Sequence, residues 1–115
     1  MVRRSSERSY VQRKAFDGEG EMRAFKILEN DGELYDTGRL FNHCILNPGC
    51  EVGWHIHNGD GETYYIIRGE GEYNDNGTVT TLHTGDVAFC DAGEGHSIIN
   101  RTEEPLELIA LILYK

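Results

Sequence analysis

Gly49-Cys50-Glu51-Val52-Gly53-Trp54-His55-Ile56-His57-Asn58-Gly59-Asp60-Gly61-Glu62-Thr63-Tyr64-Tyr65-Ile66-Ile67-Arg68-Gly69 is the stretch that decides how this chain folds. Side chains alternate across a strand, so His55 and His57, two apart, point to one face. The turn-like run Asn58-Gly59-Asp60-Gly61 comes next, and Glu62 opens a second segment rich in β-formers, Tyr64 to Ile67. A further histidine, His96, lies downstream among Gly85, Gly93 and Asn100. Three imidazoles and one carboxylate suit one divalent transition metal per chain: Fe, Mn, Ni, Cu or Zn. On an octahedral ion these four ligands leave one or two positions open, whereas a tetrahedral zinc is closed by them and is structural. Each ligating imidazole is neutral, so metal is expected to be lost as pH falls.

Outward from this stretch, short apolar segments are broken by glycine, asparagine and aspartate, and no helical period survives more than about two turns. The chain holds 14 glycines and 2 prolines, which suits many tight turns. Strands are expected at residues 10–16, 25–28, 40–46, 51–57, 62–68, 71–73, 78–82, 86–90, 96–100 and 106–114. Turns are expected at Asn30-Asp31-Gly32, Asn47-Pro48-Gly49, Asn74-Asp75-Asn76-Gly77 and Thr102 to Pro105. Asn76-Gly77 is the strongest hairpin signal. Ten or so short strands point to an all-β, jelly-roll or double-stranded β-helix barrel, which also removes exposed edges.

The spacing Gly49-x5-His55-x-His57-x4-Glu62-x6-Gly69 resembles the first motif of the cupin superfamily. Gly85-x5-Asp91-x-Gly93-x2-His96-x3-Asn100 resembles its second, with Asp91 standing where the family usually has proline. The resemblance runs from Gly49 to Asn100, and the remaining length fits one small cupin domain. It implies a small β-barrel with His55, His57, Glu62 and His96 as metal ligands. It implies no single reaction, because cupins include dioxygenases, decarboxylases, isomerases, sugar-binding modules and storage proteins.

Other residues are read from alternation. Tyr64 shares the face of Glu62 and is a candidate proton donor or substrate clamp, against the plainer role of a core aromatic. His43, mid-strand with Phe41 and Ile45, is a candidate pocket acid or base if that face points inward, and a surface or dimer-face residue if it points outward. Arg39 is placed on the same face, as a carboxylate binder or a surface ion pair. Asn100 braces its strand, Trp54 packs on the side away from the histidines, and His83 is solvated. Asp91 and Glu94 are loop residues that would make the barrel mouth acidic if they lined it.

The whole chain of 115 residues is read as one domain, with residues 1–9 as a flexible basic arm and 10–115 as the barrel. A net charge of -9 argues against nucleic acid, and the cluster Arg3, Arg4, Arg8, Arg13 and Lys14 is read as a solvated arm. No apolar leader or membrane-length run is present. Together with the odd count of cysteines (Cys44, Cys50, Cys90), this sets the expectation of reduced thiols in a cytoplasm, with Cys50 a minor candidate for a ligating thiol. The segment from Leu106 to Leu113 is apolar on both faces, so a second copy is expected to cover one of them as a homodimer. Three functions stay open: a metal-dependent enzyme on a small polar molecule, a binding or sensing module without turnover, and a barrel stiffened by a structural metal.

Overall fold

Asn76 and Gly77 both take positive φ, 49° and 106°, the pairing that a two-residue hairpin of the twist-matched kind demands. The Asn74 side chain accepts from the Gly77 amide at 2.8 Å. This turn joins β6 (Gly71–Asp75) to β7 (Thr78–Leu82) in full register. The computed structural model describes residues 1–29 and 32–115. The turn expected at Asn30-Asp31 lies outside the described residues.

The other strands are β1 (Tyr10–Arg13), β2 (Met22–Leu28), β3 (Gly38–Leu46), β4 (Glu51–Ile56), β5 (Asp60–Arg68), β8 (Val87–Cys90), β9 (Gly95–Ile99) and β10 (Leu106–Tyr114). They form a six-stranded sheet, β1-β2-β3-β10-β5-β8, and a four-stranded sheet, β4-β9-β6-β7. All pairings between strands are antiparallel. The inner faces close into the expected double-stranded β-helix. Leu46, Ile66, Ile98, Leu106 and Leu108 are buried between them. Burial of such side chains contributes about 1.5–3 kcal/mol each.

Expected and observed strands agree to within a few residues at each end. The largest differences, three residues each, are at β2, which starts at Met22, and at β1, which stops at Arg13 because Phe16 and Asp17 adopt positive φ, 50° and 57°, and turn the chain. Residues 3–9, expected as a flexible arm, lie along the barrel. Arg3 forms a two-point ion pair with Glu33 at 2.9 and 3.1 Å, and the Arg8 guanidinium sits 4.7 Å from the Phe25 ring centre.

Two bulges re-aim side chains toward the interior. Between β4 and β9 the register shifts between Val52 and His55, so Val52 and His55 both face inward although three positions apart. Between β3 and β10 it shifts at the start of β3: Leu40 opposes Ile112 and Gly38 opposes Leu113, leaving Arg39 as the extra residue. On β10 the inward residues Leu106, Leu108, Ala110 and Ile112 are buried. Ile109 and Leu111 on the outer face are half-buried, and Leu113 is exposed.

Candidate metal centre

His55 and His96 face each other directly across the β4–β9 pair, His57 comes just after the end of β4, and Glu62 lies near the start of β5. Each imidazole spends its Nδ1 on a fixed acceptor. His55 Nδ1 donates to the Gly53 carbonyl at 2.8 Å, His57 Nδ1 to the Asp60 carboxylate at 2.6 Å, and His96 Nδ1 to the Tyr73 hydroxyl at 2.8 Å. With Nδ1 holding the proton, Nε2 presents a lone pair. The three Nε2 atoms converge: His57 to His96 at 3.1 Å and His96 to His55 at 3.0 Å. Glu62 Oε1 stands 3.0 Å from His96, 3.2 Å from His57 and 3.6 Å from His55.

This donor set fits a cation. Three lone pairs and a carboxylate oxygen meet within 4.8 Å of one another, mutually repulsive unless a positive charge lies between them. Metal–ligand bonds of ~2.1 Å put cis positions of an octahedron ~3.0 Å apart and tetrahedral positions ~3.4 Å apart. Four contacts, at 3.0–3.2 Å, lie near the octahedral spacing, and Glu62 to His55 at 3.6 Å is longer than either. In the metal-free centre burial pushes the Glu62 carboxyl up, but imidazoles carrying a proton on Nε2 outweigh it by hydrogen-bonding to the carboxylate and hold it well below the ordinary range. His57 is raised, first by its contact with Glu62, while burial lowers His96.

Around the ligands lies a cavity of about 90 Å³, room for a handful of waters or a small organic acid. Tyr64 lines it, 3 % exposed and stacked on the His96 ring at 4.9 Å between ring centres. Burial holds its phenol well above the ordinary range, with the Glu62 charge adding to the shift. Its neighbour Cys44 has its thiol pushed up to about 12 by burial. Phe16 stacks on His55 at 3.9 Å.

The structure separates the alternatives that the sequence leaves open. His43 does not reach the cavity. The alternate residues Leu40, Asn42 and Cys44 line it, and His43 is on the other face of β3, bonded to Arg8 at 3.1 Å and Glu107 at 2.7 Å. Strict alternation groups Arg39 with His43, yet the bulge turns it to the cavity, where its Nε donates to Asp60 at 2.7 Å. The cavity mouth is not acidic. Arg13 and Arg39 line it, while Asp91 borders a separate outer groove and Glu94 caps the Asp91 amide at 2.9 Å. Cys50 is not among the clustered ligands. Asn100 braces as expected, donating to the Leu46 and Glu104 carbonyls and accepting from Thr102. Half-exposed Trp54 covers Gly95, leaving no room there for a side chain.

Sequence reasoning alone misses Tyr73, Asp60 and Phe16. Tyr73 shares an inward face of β6 with no motif around it. Asp60 sits in a run that reads only as a turn, although its position three after His57 is the available clue.

The family described as Cupin domain matches residues 42–112. The chain is 42% identical over 96 residues to the oxalate-binding protein of Thermotoga maritima, covering 84% of this chain and 78% of that one. It superposes with a TM-score of 0.93 and 40% identity on the crystal structure of a predicted oxalate decarboxylase from Thermotoga maritima, over 100% of both chains. It also superposes on a conserved double-stranded β-helix protein from Klebsiella pneumoniae, with a TM-score of 0.71, 27% identity, and coverage of 88% and 84%.

Proposed function

Because the chain belongs to the cupin family, with a cluster of three histidines and a glutamate that could hold one metal, we propose that it takes a small carboxylic acid into the cavity beside that metal and transforms it. The observation that carries this reading is the charge of the cavity lining. Apart from the ligand residues, its charged groups are two cations, Arg13 and Arg39. The names of the similar proteins, oxalate-binding protein and predicted oxalate decarboxylase, support a short acid such as oxalate.

His55, His57, Glu62 and His96 would hold the metal. When bound, it supplies a Lewis acid for a carboxylate oxygen and, if redox-active, a one-electron partner. Tyr64 is the group we assign to proton donation. Its phenol keeps its proton throughout the neutral range and faces the cavity. Val52, Leu108 and Ile112 give the remaining wall an apolar character that excludes water.

The test has two stages. Metal content is measured on protein purified without chelator or histidine tag, and the manganese(II)-loaded protein is then titrated with oxalate by calorimetry and assayed for release of carbon dioxide and formate. Binding with turnover supports the enzyme. Binding without turnover supports the second reading, a binding or sensing module, which the name of the 42% identical relative favours. No binding at millimolar oxalate refutes both.

We also place the protein as a homodimer. Exposed Tyr65, Ile67, Phe89 and Leu113 surround half-buried Ile109 and Leu111 on the outer sheet face, an apolar patch of the kind that a second copy would cover. A mass of about 13 kDa by light scattering at micromolar concentration would refute it. No described helix is long and apolar enough to cross a membrane.

A further inference from the structure

Charge around the cavity can be balanced group by group. A bound dication is offset by two buried carboxylates, Glu62 at the ligand cluster and Asp60 behind His57. That leaves a net surplus of two positive charges at the cavity, Arg13 and Arg39, with Arg39 sharing Asp60 with His57. The Arg13 side chain makes no hydrogen bond or ion pair among the described residues. Arg39 bonds Asp60 through Nε alone, so both terminal nitrogens of its fork remain for a ligand. The β3 bulge spends an extra residue to turn Arg39 inward, and Asp60 fixes its angle. The side chain is nonetheless 44% exposed, at the mouth rather than in the core.

We propose that this cavity is matched to a small dianion, and that Arg39, aimed by the β3 bulge and by Asp60, is the residue that selects a dicarboxylate over a monocarboxylate of the same shape. One carboxylate goes to the metal side and the other to the Arg39 fork, whose two terminal nitrogens fit the two oxygens of a carboxylate. The assignment rests on the acid-binding reading above.

The experiment uses the manganese(II)-loaded full chain and two isosteric probes: oxalate, a dianion, and oxamate, its monoanionic amide. Calorimetry on the parent is expected to show oxalate bound ~10–100-fold more tightly than oxamate, the range a charge-assisted hydrogen-bonded pair provides. In R39Q the preference collapses to about threefold or less with metal content unchanged, and R39K, keeping the charge without the fork, recovers part of it. R68Q, on the outer face beside Glu107, binds both probes as the parent does. An unchanged oxalate preference in R39Q overturns the assignment. Loss of metal from R39Q also overturns it, because Arg39 would then be a brace for His57 and nothing more. A parent that binds neither probe refutes the acid-binding reading itself, a result distinguishable from both.

Discussion

Tyr73→Phe removes one oxygen atom and tests how the metal centre is held. The Tyr73 hydroxyl is the acceptor for His96 Nδ1 at 2.8 Å. Tyr73 is 2% exposed and His96 1%, so no bulk water replaces the lost partner. The imidazole then has two poor choices. Keeping its Nδ1 proton leaves a buried donor unpaired, at a cost of about 1–3 kcal/mol. Moving the proton to Nε2 turns a metal-facing lone pair into a donor and removes His96 as a ligand. Either way metal affinity is expected to fall by ~10–100-fold, the usual effect of deleting an outer hydrogen bond to a ligating histidine. Phenylalanine keeps the ring, so the edge contact with Tyr64, at 6.1 Å between centres, and the core volume are retained. The assay is competition for zinc against a chromogenic chelator at neutral pH, with far-ultraviolet circular dichroism as a control for the fold. A zinc affinity within twofold of the parent, in a folded variant, would refute the view that Tyr73 fixes the His96 tautomer.

Asn100→Ala breaks contacts that tie the ends of β9 and β3 to the last turn, at 2.7–2.9 Å. Buried carbonyls are left unpaired, so a loss of ~3 kcal/mol and a fall in Tm of ~10–15 °C are expected by calorimetric scan. A shift under about 3 °C would contradict this expectation. Glu107 is raised by burial but pulled down further by His43 and Arg68, so its carboxyl lies below its ordinary 4.5. Its stabilisation is present above that ordinary value and is lost as pH falls through the lower folded one. Urea melts of the parent and Glu107→Gln should therefore differ at pH 7 and draw together as pH falls from 4.5 through the lower folded value; a constant difference would count against the pairing. Burial pushes the Cys44 thiol up to about 12 and Cys90 up to about 11, whereas Cys50 is partly exposed. A disulfide reagent at pH 8 should modify one thiol per native chain quickly and the others only in denaturant.

The ligand set and the barrel are legible in the sequence because both depend on strict period-two alternation and fixed glycine turns. His55, His57, Glu62 and Tyr64 need nothing else. What alternation cannot show is a bulge. It groups Arg39 with His43 because nothing in Gly38-Arg39-Leu40 announces an extra residue. The inward-or-outward choice for His43 is undecidable for a related reason: β3 carries apolar side chains on both faces, so its pattern selects neither. Asp60 meets His57 only three residues away, in a run that reads as a turn, whereas Tyr73 owes its role to a pairing between strands distant in sequence. Tyr73 opposes Ile98, two residues from His96, a neighbour relation that exists only once the second sheet has formed.

β1 lies at the edge of its sheet, is exposed along all four residues, and pairs only with β2. Yet Val11, Arg13 and then Phe16 wall the cavity. Short edge segments open at far lower free energy than the strands they flank. On the proposed acid-binding reading, entry and exit of the ion and the acid are expected to follow the peeling of this first strand. A chain that holds its cargo tightly at equilibrium can still exchange it quickly, on the timescale of that local opening rather than of global unfolding.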